Sequence, residues 1–477
     1  MSRPLAYLGR IRTCVLSGAL LAVAGGAIAA SVTFDVASGA SVSDRISITA
    51  RVTGFETTGV RKVEFLLDGR LQGEDGSVPY VFVWDTLASS EGEHVIEAVA
   101  TDMDGAIARG TLRVVVDNEL SRGADYHAGV ALEAAKAGDR ERAERYARRA
   151  VKIDPTNLKA AMALSAVYRS TRDYDKAIAV LEQAGIPAGA AEARRALAEL
   201  YILRGDAGET HEALIDGLTS ALAQNELLVK EQAAARDLSA QAKGDLAFTH
   251  RRWPDAISAY QSAGSPSTMP IEIVNRLLLA YANAGRTRDF DLLMRTVTRE
   301  RNGGDAITRV VEGAQHLLRH RPEEARRTVQ SGVEDGIPGA LIVAATADLI
   351  TGETKRAADE IEQLHRRLPD AQATLYLRTF VVTEPMDLRP LFLRAIGADL
   401  SNPEPLLRKA YDVLLSKRPD RIKEAQAFLN LARSIAPDSP DVLMVSAAFL
   451  LFDRRAEEAE PLLKQVLEKD PDAPDAL

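Results

Sequence analysis

The 477-residue sequence contains a single cysteine, Cys14, and few aromatic residues, which make up 5% of the chain. One cysteine cannot form an intramolecular disulfide, so neither disulfide bonds nor paired-thiol chemistry is expected. The chain also has no excess of positive charge, because 59 lysines and arginines stand against 68 acidic residues, for a formal net charge of -9. Since binding to a polyanion needs clustered lysine and arginine, a nucleic-acid partner is not expected.

Hydrophobic runs long enough to span a membrane do not occur after the first thirty residues. Within those thirty, three arginines and no acidic residue precede an apolar stretch from Val15, which ends in the small residues of Ala27–Ala29. This order is typical of a secretory signal peptide, so residues 1–30 are predicted to be a signal and the protein to be periplasmic or secreted. A retained membrane anchor is the alternative interpretation of the same segment.

Short alternating runs follow this segment up to about Asn118, with Asp-Gly pairs between several of them. The runs are RISITARV at 45–52, KVEFLL at 62–67, YVFVW at 80–84, HVIEAVA at 94–100 and TLRVVV at 111–116. A period of two with frequent turns predicts a small all-β antiparallel sandwich over residues 31–118. The order KVEFLLDGRL, SVPYVFVWDT and EGEHVIEAVATDMDGA resembles bacterial immunoglobulin-like domains. That resemblance implies a spacer or adhesive module and no chemistry.

The period changes after residue 118. Three pairs of positions lie 34 residues apart: Ala143 and Ala177, Ala425 and Ala459, and Pro437 and Pro471. A small residue in a second helix and a proline after it, repeated every 34 residues, resemble the tetratricopeptide repeat, a unit of two antiparallel helices. Small residues allow the two helices to approach closely, and the proline ends the second helix.

This resemblance implies an all-α TPR superhelical solenoid over residues 119–477, with roughly nine or ten helix pairs. Stacked neighbours would bury the apolar face of each pair. Two segments fit the repeat poorly: 192–236 carries extra residues, and 372–405 has lost most of the small positions. The predicted fold is therefore an immunoglobulin-like sandwich followed by a helical solenoid.

Candidate metal ligands are few. His316 and His320 have the spacing of one helical face, but a zinc site needs a third ligand, and HLLRH lacks the glutamate of an H-E-x-x-H motif. Asp102 and Asp104 have oxygen atoms suited to calcium, whereas an Asp-Gly hairpin turn explains the same residues. No metal site and no cofactor are predicted.

Catalytic motifs are also missing from the sequence. It has no G-x-S-x-G elbow, phosphate-binding glycine loop or dinucleotide fingerprint. Paired carboxylates such as Glu323–Glu324 precede small positions of a second helix, where acidic residues favour the helix dipole. We therefore predict no catalytic residues and no enzyme.

The remaining candidate is a binding surface, since a solenoid presents the inner faces of its first helices as one concave groove. The family's groove positions point to two sets of residues: Lys159, Met162, Ala166 and Arg169 in one unit, and Glu272, Asn275, Leu279 and Ala282 in another. An extended protein segment or a helix of a protein partner would fit such a groove.

The sequence thus favours an exported, non-catalytic scaffold for protein–protein interactions in the bacterial cell envelope. The alternative is a carbohydrate-interacting envelope factor for polysaccharide export or cell-wall assembly, in which the sandwich contacts a glycan. Exposed aromatic residues would support that alternative, and Tyr80 and Trp84 are its main candidates. Their place within a strand is more typical of a core.

Overall fold

A computed structural model describes residues 30–208, 210–234, 238–300, 305–382, 385–415, 421–469 and 473, with side chains for all of these except 385–387. The predicted signal segment up to residue 29, which includes Cys14, and the repeat position Pro471 lie outside the described residues. The chain divides into two compact units, and the boundary lies between Gly123 and Ala124.

The N-terminal unit is built from eight strands between residues 30 and 123. They are β1 Ser31–Phe34, β2 Ala40–Val42, β3 Arg45–Thr53, β4 Val60–Leu67, β5 Arg70–Asp75, β6 Tyr80–Asp85, β7 Gly92–Asp102 and β8 Ile107–Val116. One sheet has the order β1-β3-β6, and the other has the order β2-β8-β7-β4-β5. Neighbouring strands are antiparallel, apart from the parallel pair of β2 and β8.

Alternation along these strands creates one apolar core between the sheets. Ile48 and Phe82 come from the three-stranded sheet, and Val63, Phe65 and Ile96 come from the five-stranded sheet. The rings of Phe65 and Phe82 stack with centroids 5.6 Å apart. Every second side chain points inward because successive residues of a strand face opposite sides of its sheet.

The C-terminal unit is helical, with 21 α-helices in its described residues. The first ten are α1 Ala124–Lys136, α2 Arg140–Ile153, α3 Leu158–Ser170, α4 Tyr174–Ala184, α5 Ala191–Ala207, α6 His211–Ala233, α7 Ala240–Thr249, α8 Trp253–Ala263, α9 Ile271–Asn283 and α10 Thr287–Glu300. The others are α11 Ala306–Leu318, α12 Pro322–Thr328, α13 Gln330–Glu334, α14 Pro338–Ile350, α15 Thr354–Arg367, α16 Gln372–Arg378, α17 Pro385–Ala398, α18 Glu404–Leu415, α19 Ile422–Ile435, α20 Pro440–Phe452 and α21 Ala456–Lys469.

Successive helices pack as pairs, such as α1 with α2, α3 with α4, α5 with α6 and α7 with α8. The repeated small positions lie at the contacts between helices. The alanines at the same point of seven second helices are 0–1% exposed: Ala143, Ala177, Ala256, Ala325, Ala357, Ala425 and Ala459. Together with the sandwich, these pairs confirm the predicted fold class.

Helix ends follow local capping rules. The Asp139 carboxylate accepts a hydrogen bond from the Arg142 N–H at the start of α2, and Asn157 does the same for the Ala160 N–H of α3. Such caps satisfy backbone donors that have no partner within the helix. The Asp154-Pro155 pair lies after α2 and before α3, which separates the two repeat units.

The helical unit closes on itself, which the sequence did not predict. Helix α17 contacts α5, and α19 contacts α6, so late repeats pack against early ones. Phe428 of α19 lies over His211 of α6 with ring centroids 5.7 Å apart. Of the helices described, none is both long enough and apolar enough to cross a membrane.

Candidate functional site

The helical unit contains a cavity of about 1230 Å³. Its first wall consists of α3 and α5, which are the first helices of two successive pairs, with contributions from α6. The opposite wall is α17 and residues 399–401, which follow it. The cavity therefore lies where the inner face of early repeats meets a late repeat.

Helix α3 supplies predicted groove residues to the first wall. Met162, Ala166 and Arg169 all line the cavity, and they share a face because residues three and four apart are neighbours on a helix. Ala166 and Arg169 are exposed, and Met162 is half-buried. The Arg169 Nη1 atom donates a hydrogen bond to Glu199 Oε2 of α5 at 2.8 Å.

Helix α5 adds acidic groups to this wall. Glu192, Glu199 and Asp206 are spaced by seven residues and line the cavity together, which places them along one side of the helix. Arg194 of the same helix also lines the cavity, is 9% exposed and forms an ion pair with Glu231 of α6. That contact and a hydrogen bond from Gly189 N hold the pKa of Glu231 below its usual value, although burial opposes the shift.

Helix α17 supplies Leu393, Arg394 and Gly397 to the opposite wall. The Arg394 Nη2 atom lies 2.6 Å from Asp370 Oδ1, and both residues line the cavity. The wall also includes Leu400, which packs against the same apolar cluster as α5. Each wall thus combines apolar surface with paired charges.

A polar group joins the two walls at one end. Ser401 Oγ lies 3.3 Å from His250 Nδ1, and His250 Nε2 lies 2.7 Å from Gln232 Oε1. Burial, followed by the nearby Arg252, lowers the pKa of His250, so the ring is neutral near pH 7. Because an amide oxygen only accepts, Nε2 donates to Gln232, and Nδ1 accepts from the Ser401 hydroxyl.

The predicted groove residues do not form one continuous surface. Lys159 is exposed on α3 but is not among the residues that line the cavity. Glu272 is exposed on α9, away from the cavity. Asn275 is 3% exposed, and its side chain bonds Asp305 Oδ1 at 3.1 Å and Thr308 Oγ1 at 2.9 Å. Asn275 thus links α9 to α11 through its side chain, and its role in binding a partner stays a prediction.

Sequence reasoning missed Arg394, Asp399 and Ser401. The segment 372–405 matches the repeat poorly, and that weak match is the one sequence signal that it differs from its neighbours. Nothing in the periodicity indicates that this segment contacts repeats almost two hundred residues earlier. The second wall of the cavity becomes visible only in three dimensions.

The candidate metal ligands serve other purposes in the structure. His320 lies beyond the end of α11 with φ of 55°, so it does not share a helical face with His316. The Asp102 carboxylate accepts hydrogen bonds from Asp104 N at 3.0 Å and Ala106 N at 2.6 Å, which stabilise the turn between β7 and β8. Among the described residues, no group of three potential ligands is clustered for a metal ion.

The aromatic candidates for glycan contact lie in the core of the sandwich. Tyr80 is 7% exposed and Trp84 is 4% exposed. Trp84 meets the edge of His94 with ring centroids 5.5 Å apart, and its indole nitrogen donates to Ser89 Oγ at 3.1 Å. Neither ring offers an open face to a sugar.

Comparisons with known proteins agree with the two-part architecture. Residues 32–98 match the family described as a bacterial Ig domain, and residues 134–200 match a tetratricopeptide repeat family. No curated protein has significant similarity to the chain.

Three solved structures are similar in parts. The fibronectin(III)-like modules of Clostridium thermocellum CbhA share 26% identity over 18% of this chain and 46% of that chain, with a TM-score of 0.16, so this chain spans less than half of their length. The APC/C hetero-tetramer Cut9-Hcn1 shares 14% identity over 74% of this chain and 95% of that chain, with a TM-score of 0.31. Yeast Tom70 shares 12% identity over 73% of this chain and 86% of that chain, with a TM-score of 0.30.

Three observations indicate a helical-repeat protein: the repeated helix pairs, the buried small residues between them and the family match. Helical repeats of this kind are typically non-catalytic scaffolds for protein–protein interaction. The chain thus combines an N-terminal domain that matches the bacterial Ig family with a helical-repeat unit in which residues 134–200 match the tetratricopeptide repeat family.

Proposed function

We propose that this protein is an exported, non-catalytic scaffold that binds a protein partner in the cavity between α3, α5 and α17. One observation carries the proposal: the predicted groove residues Met162, Ala166 and Arg169 line a cavity of about 1230 Å³. A space of this size exceeds the usual range for small-molecule pockets. It is therefore better suited to a segment of a protein.

The lining chemistry supports a peptide ligand. Met162 and Leu203 supply apolar surface to one wall, and Leu393 supplies it to the other. The Arg169–Glu199 pair, with nitrogen and oxygen 2.8 Å apart, adds exposed donors and acceptors. A peptide needs both kinds of contact, because its backbone has polar groups and its side chains bury apolar area.

Capture experiments with two variants of the full chain, each with one alanine replaced by arginine, test this proposal. Ala166→Arg places a long charged side chain in the cavity, whereas Ala179→Arg makes the same change at an exposed position of α4 that does not line it. We expect envelope proteins retained by the wild type to be lost with Ala166→Arg and kept with Ala179→Arg. Equal retention by both variants would contradict binding in the cavity.

Export is the second part of the proposal, and it is supported by the signal-like order of the first thirty residues. Replacing Arg3, Arg10 and Arg12 with glutamate would remove the positive charge ahead of the apolar stretch. We expect the wild-type protein in the periplasm or medium and the triple variant in the cytoplasm. Cell fractionation that places both proteins in the cytoplasm would refute export.

The sandwich is proposed to act as a spacer in this scaffold. Its aromatic candidates Tyr80 and Trp84 are buried, so no observation favours the carbohydrate-interacting alternative. Retention of residues 1–123 on cell-wall glycan would support the carbohydrate-interacting alternative.

A further inference from the structure

Most of the charged side chains that line the cavity already have a partner within the chain. On the first wall, Arg169 Nη1 lies 2.8 Å from Glu199 Oε2, and Arg194 forms an ion pair with Glu231. Three further ion pairs each include at least one lining residue: Asp206 with Arg389 at 2.8 Å, Asp370 with Arg394 at 2.6 Å and Asp399 with Arg251 at 3.2 Å. Because opposite charges at such distances largely cancel, these pairs give the cavity little preference for a ligand charge of either sign.

Glu192 and Arg195 differ from these paired residues. Both line the cavity from α5, and both are exposed. Within the part of the chain that the structure describes, neither residue forms an ion pair, although residues three apart on a helix are close enough to pair with each other. A ligand can therefore pair with these two charges without breaking an existing contact.

The surroundings of Arg195 favour an anionic group in the ligand. Burial, followed by the positive charges of Arg252 and Arg195, lowers the pKa of His250, while Asp399 opposes the shift. The His250 ring of the lining is thus neutral near pH 7, and Asp399 is already paired with Arg251. A carboxylate of the ligand would supply the negative charge that Arg195 lacks.

The order of side chains along α5 sets the spacing that a ligand needs. Glu192 and Arg195 are three residues apart, which is about 4.5 Å along the helix axis. Leu203 lines the same cavity eight residues after Arg195, or about 12 Å further along. Met162 and Leu393 extend the apolar surface there. A segment that lies along α5 therefore meets an acid, then a base, and then an apolar surface.

We propose that the cavity selects a protein segment with a basic and an acidic side chain about one helical turn apart, followed by an apolar side chain. The basic side chain pairs with Glu192, the acidic one pairs with Arg195, and the apolar one packs against Leu203. A segment with its two charges in the opposite order would place like charges together, which disfavours it. This inference rests on the proposed function, because it requires that a protein segment binds in the cavity.

A peptide library provides the probe for this inference. Random peptides displayed on phage are selected on the immobilised full chain, and selected sequences are then synthesised with a fluorescent label for anisotropy titrations. We expect these sequences to share a base and an acid within one helical turn, with an apolar residue beyond the acid. Arg195→Glu should weaken their binding by roughly three- to tenfold, because it turns an attractive contact into a repulsive one.

An exchange of the two charges tests the order directly. Glu192→Arg combined with Arg195→Glu keeps the net charge and should weaken the selected peptide, whereas a peptide with its acid and base exchanged should prefer this variant. Glu460→Lys combined with Lys464→Glu is the matched control, since it exchanges two exposed charges of α21 outside the cavity and should leave both affinities unchanged. Melting temperatures check folding, and Glu192→Gln and Arg195→Gln test each contact separately if the exchange destabilises the protein.

The outcomes separate this inference from the proposed function. Selected peptides without the charge pair, or affinities that the exchange leaves unchanged, would overturn the inference. If Ala166→Arg abolishes peptide binding while the exchange has no effect, the cavity binds peptides without using these charges, and the proposed function stands. If binding survives Ala166→Arg, or if the library yields no binding peptide, both proposals fail.

Discussion

The ring of Tyr260 on α8 occupies the space beside Gly244 on α7, where a β-carbon would lie 2.5 Å from two carbons of the ring. The Tyr260 hydroxyl also donates a hydrogen bond to Asp245 Oδ1 at 2.8 Å, and the side chain is fully buried. The close packing of α7 against α8 therefore requires a glycine opposite the Tyr260 ring.

Gly244→Ala should therefore destabilise the helical unit although alanine favours a helix. The new methyl group requires Tyr260 or the helix to shift, and overpacking of this kind costs about 1–3 kcal/mol. Gly129→Ala is the matched control, because a β-carbon there would meet only the Lys159 amine, at 4.0 Å. In urea unfolding followed by far-UV circular dichroism, we expect Gly244→Ala to lower the midpoint and Gly129→Ala to leave it unchanged or raise it.

Features that repeat along the chain were predictable from the sequence. The alternation of β3, β4 and β7 indicated a sandwich, and alanines such as Ala143 and Ala177 indicated where paired helices touch. These signals are local, because they depend on side-chain period and on contacts within one unit. A single sequence is sufficient to reveal them.

The closure of the helical unit was not predictable in the same way. It depends on small rotations that add up over successive repeats, and on contacts such as Arg251 with Asp399, which are 148 residues apart. The burial of Asn275 was not predictable from the sequence for a related reason. Met162, the corresponding groove position of α3, lines the cavity, whereas Asp305 and Thr308 of the next repeat bond the amide group of Asn275.

The ion pair of Asp68 and His94 makes the stability of the sandwich depend on pH. His94 Nδ1 lies 2.6 Å from Asp68 Oδ2. Although burial opposes it, hydrogen bonds with Ser90 and Asp68 raise the pKa of His94. Burial likewise opposes the lowering of the pKa of Asp68, which the Val95 N–H and His94 achieve together.

The pKa shifts of Asp68 and His94 together define the pH range in which their ion pair stabilises the sandwich. The Asp68 contribution is present above its unfolded pKa of 3.8 and is lost as pH falls. The His94 contribution is present below its unfolded pKa of 6.5 and is lost as pH rises through its raised folded value. Stability from this pair is therefore greatest between these two unfolded values.

Asp68→Asn should remove this pH dependence with little other damage. Asparagine keeps an acceptor for the Val95 N–H, and it tolerates the left-handed backbone at this position, where φ is 50°. We expect a loss of about 1 kcal/mol near pH 5 and a smaller loss near pH 8. Trp84 fluorescence in a Trp253→Phe background reports unfolding of the sandwich, and an equal loss at both pH values would contradict the assignment.

Glu360 in the helical unit gives stability a pH dependence opposite in sign to that of Asp68. It is 5% exposed, and its Oε1 atom lies 3.1 Å from Arg326 Nη2. Burial raises its pKa to about 7, with Asp348 adding to the rise while Arg326 and Arg356 oppose it. The folded state therefore binds this proton more tightly than the unfolded state, whose value is 4.5.

Wild-type stability should accordingly fall as pH rises from 4.5 to about 7, by up to roughly 3 kcal/mol. Glu360→Gln resembles the protonated side chain and should abolish that part of the slope. Glu362→Gln, an exposed position of the same helix, is the control and should follow the wild type. Chemical unfolding at several pH values checks the prediction, and parallel curves for wild type and Glu360→Gln would refute it.

The last prediction concerns Asn275 and Glu272, two predicted groove residues of α9. It tests whether Asn275 stabilises the helical unit or binds a partner. Asn275→Ala leaves Asp305 Oδ1 and Thr308 Oγ1 without the amide group that links α9 to α11. Loss of a buried partner of this kind costs about 1–3 kcal/mol. Glu272→Ala changes an exposed side chain of the same helix and should shift stability by less than about 0.5 kcal/mol. Thermal unfolding checks both values. If Asn275→Ala unfolds like the wild type and yet abolishes capture of a partner, the internal role of Asn275 is wrong and the groove extends to α9.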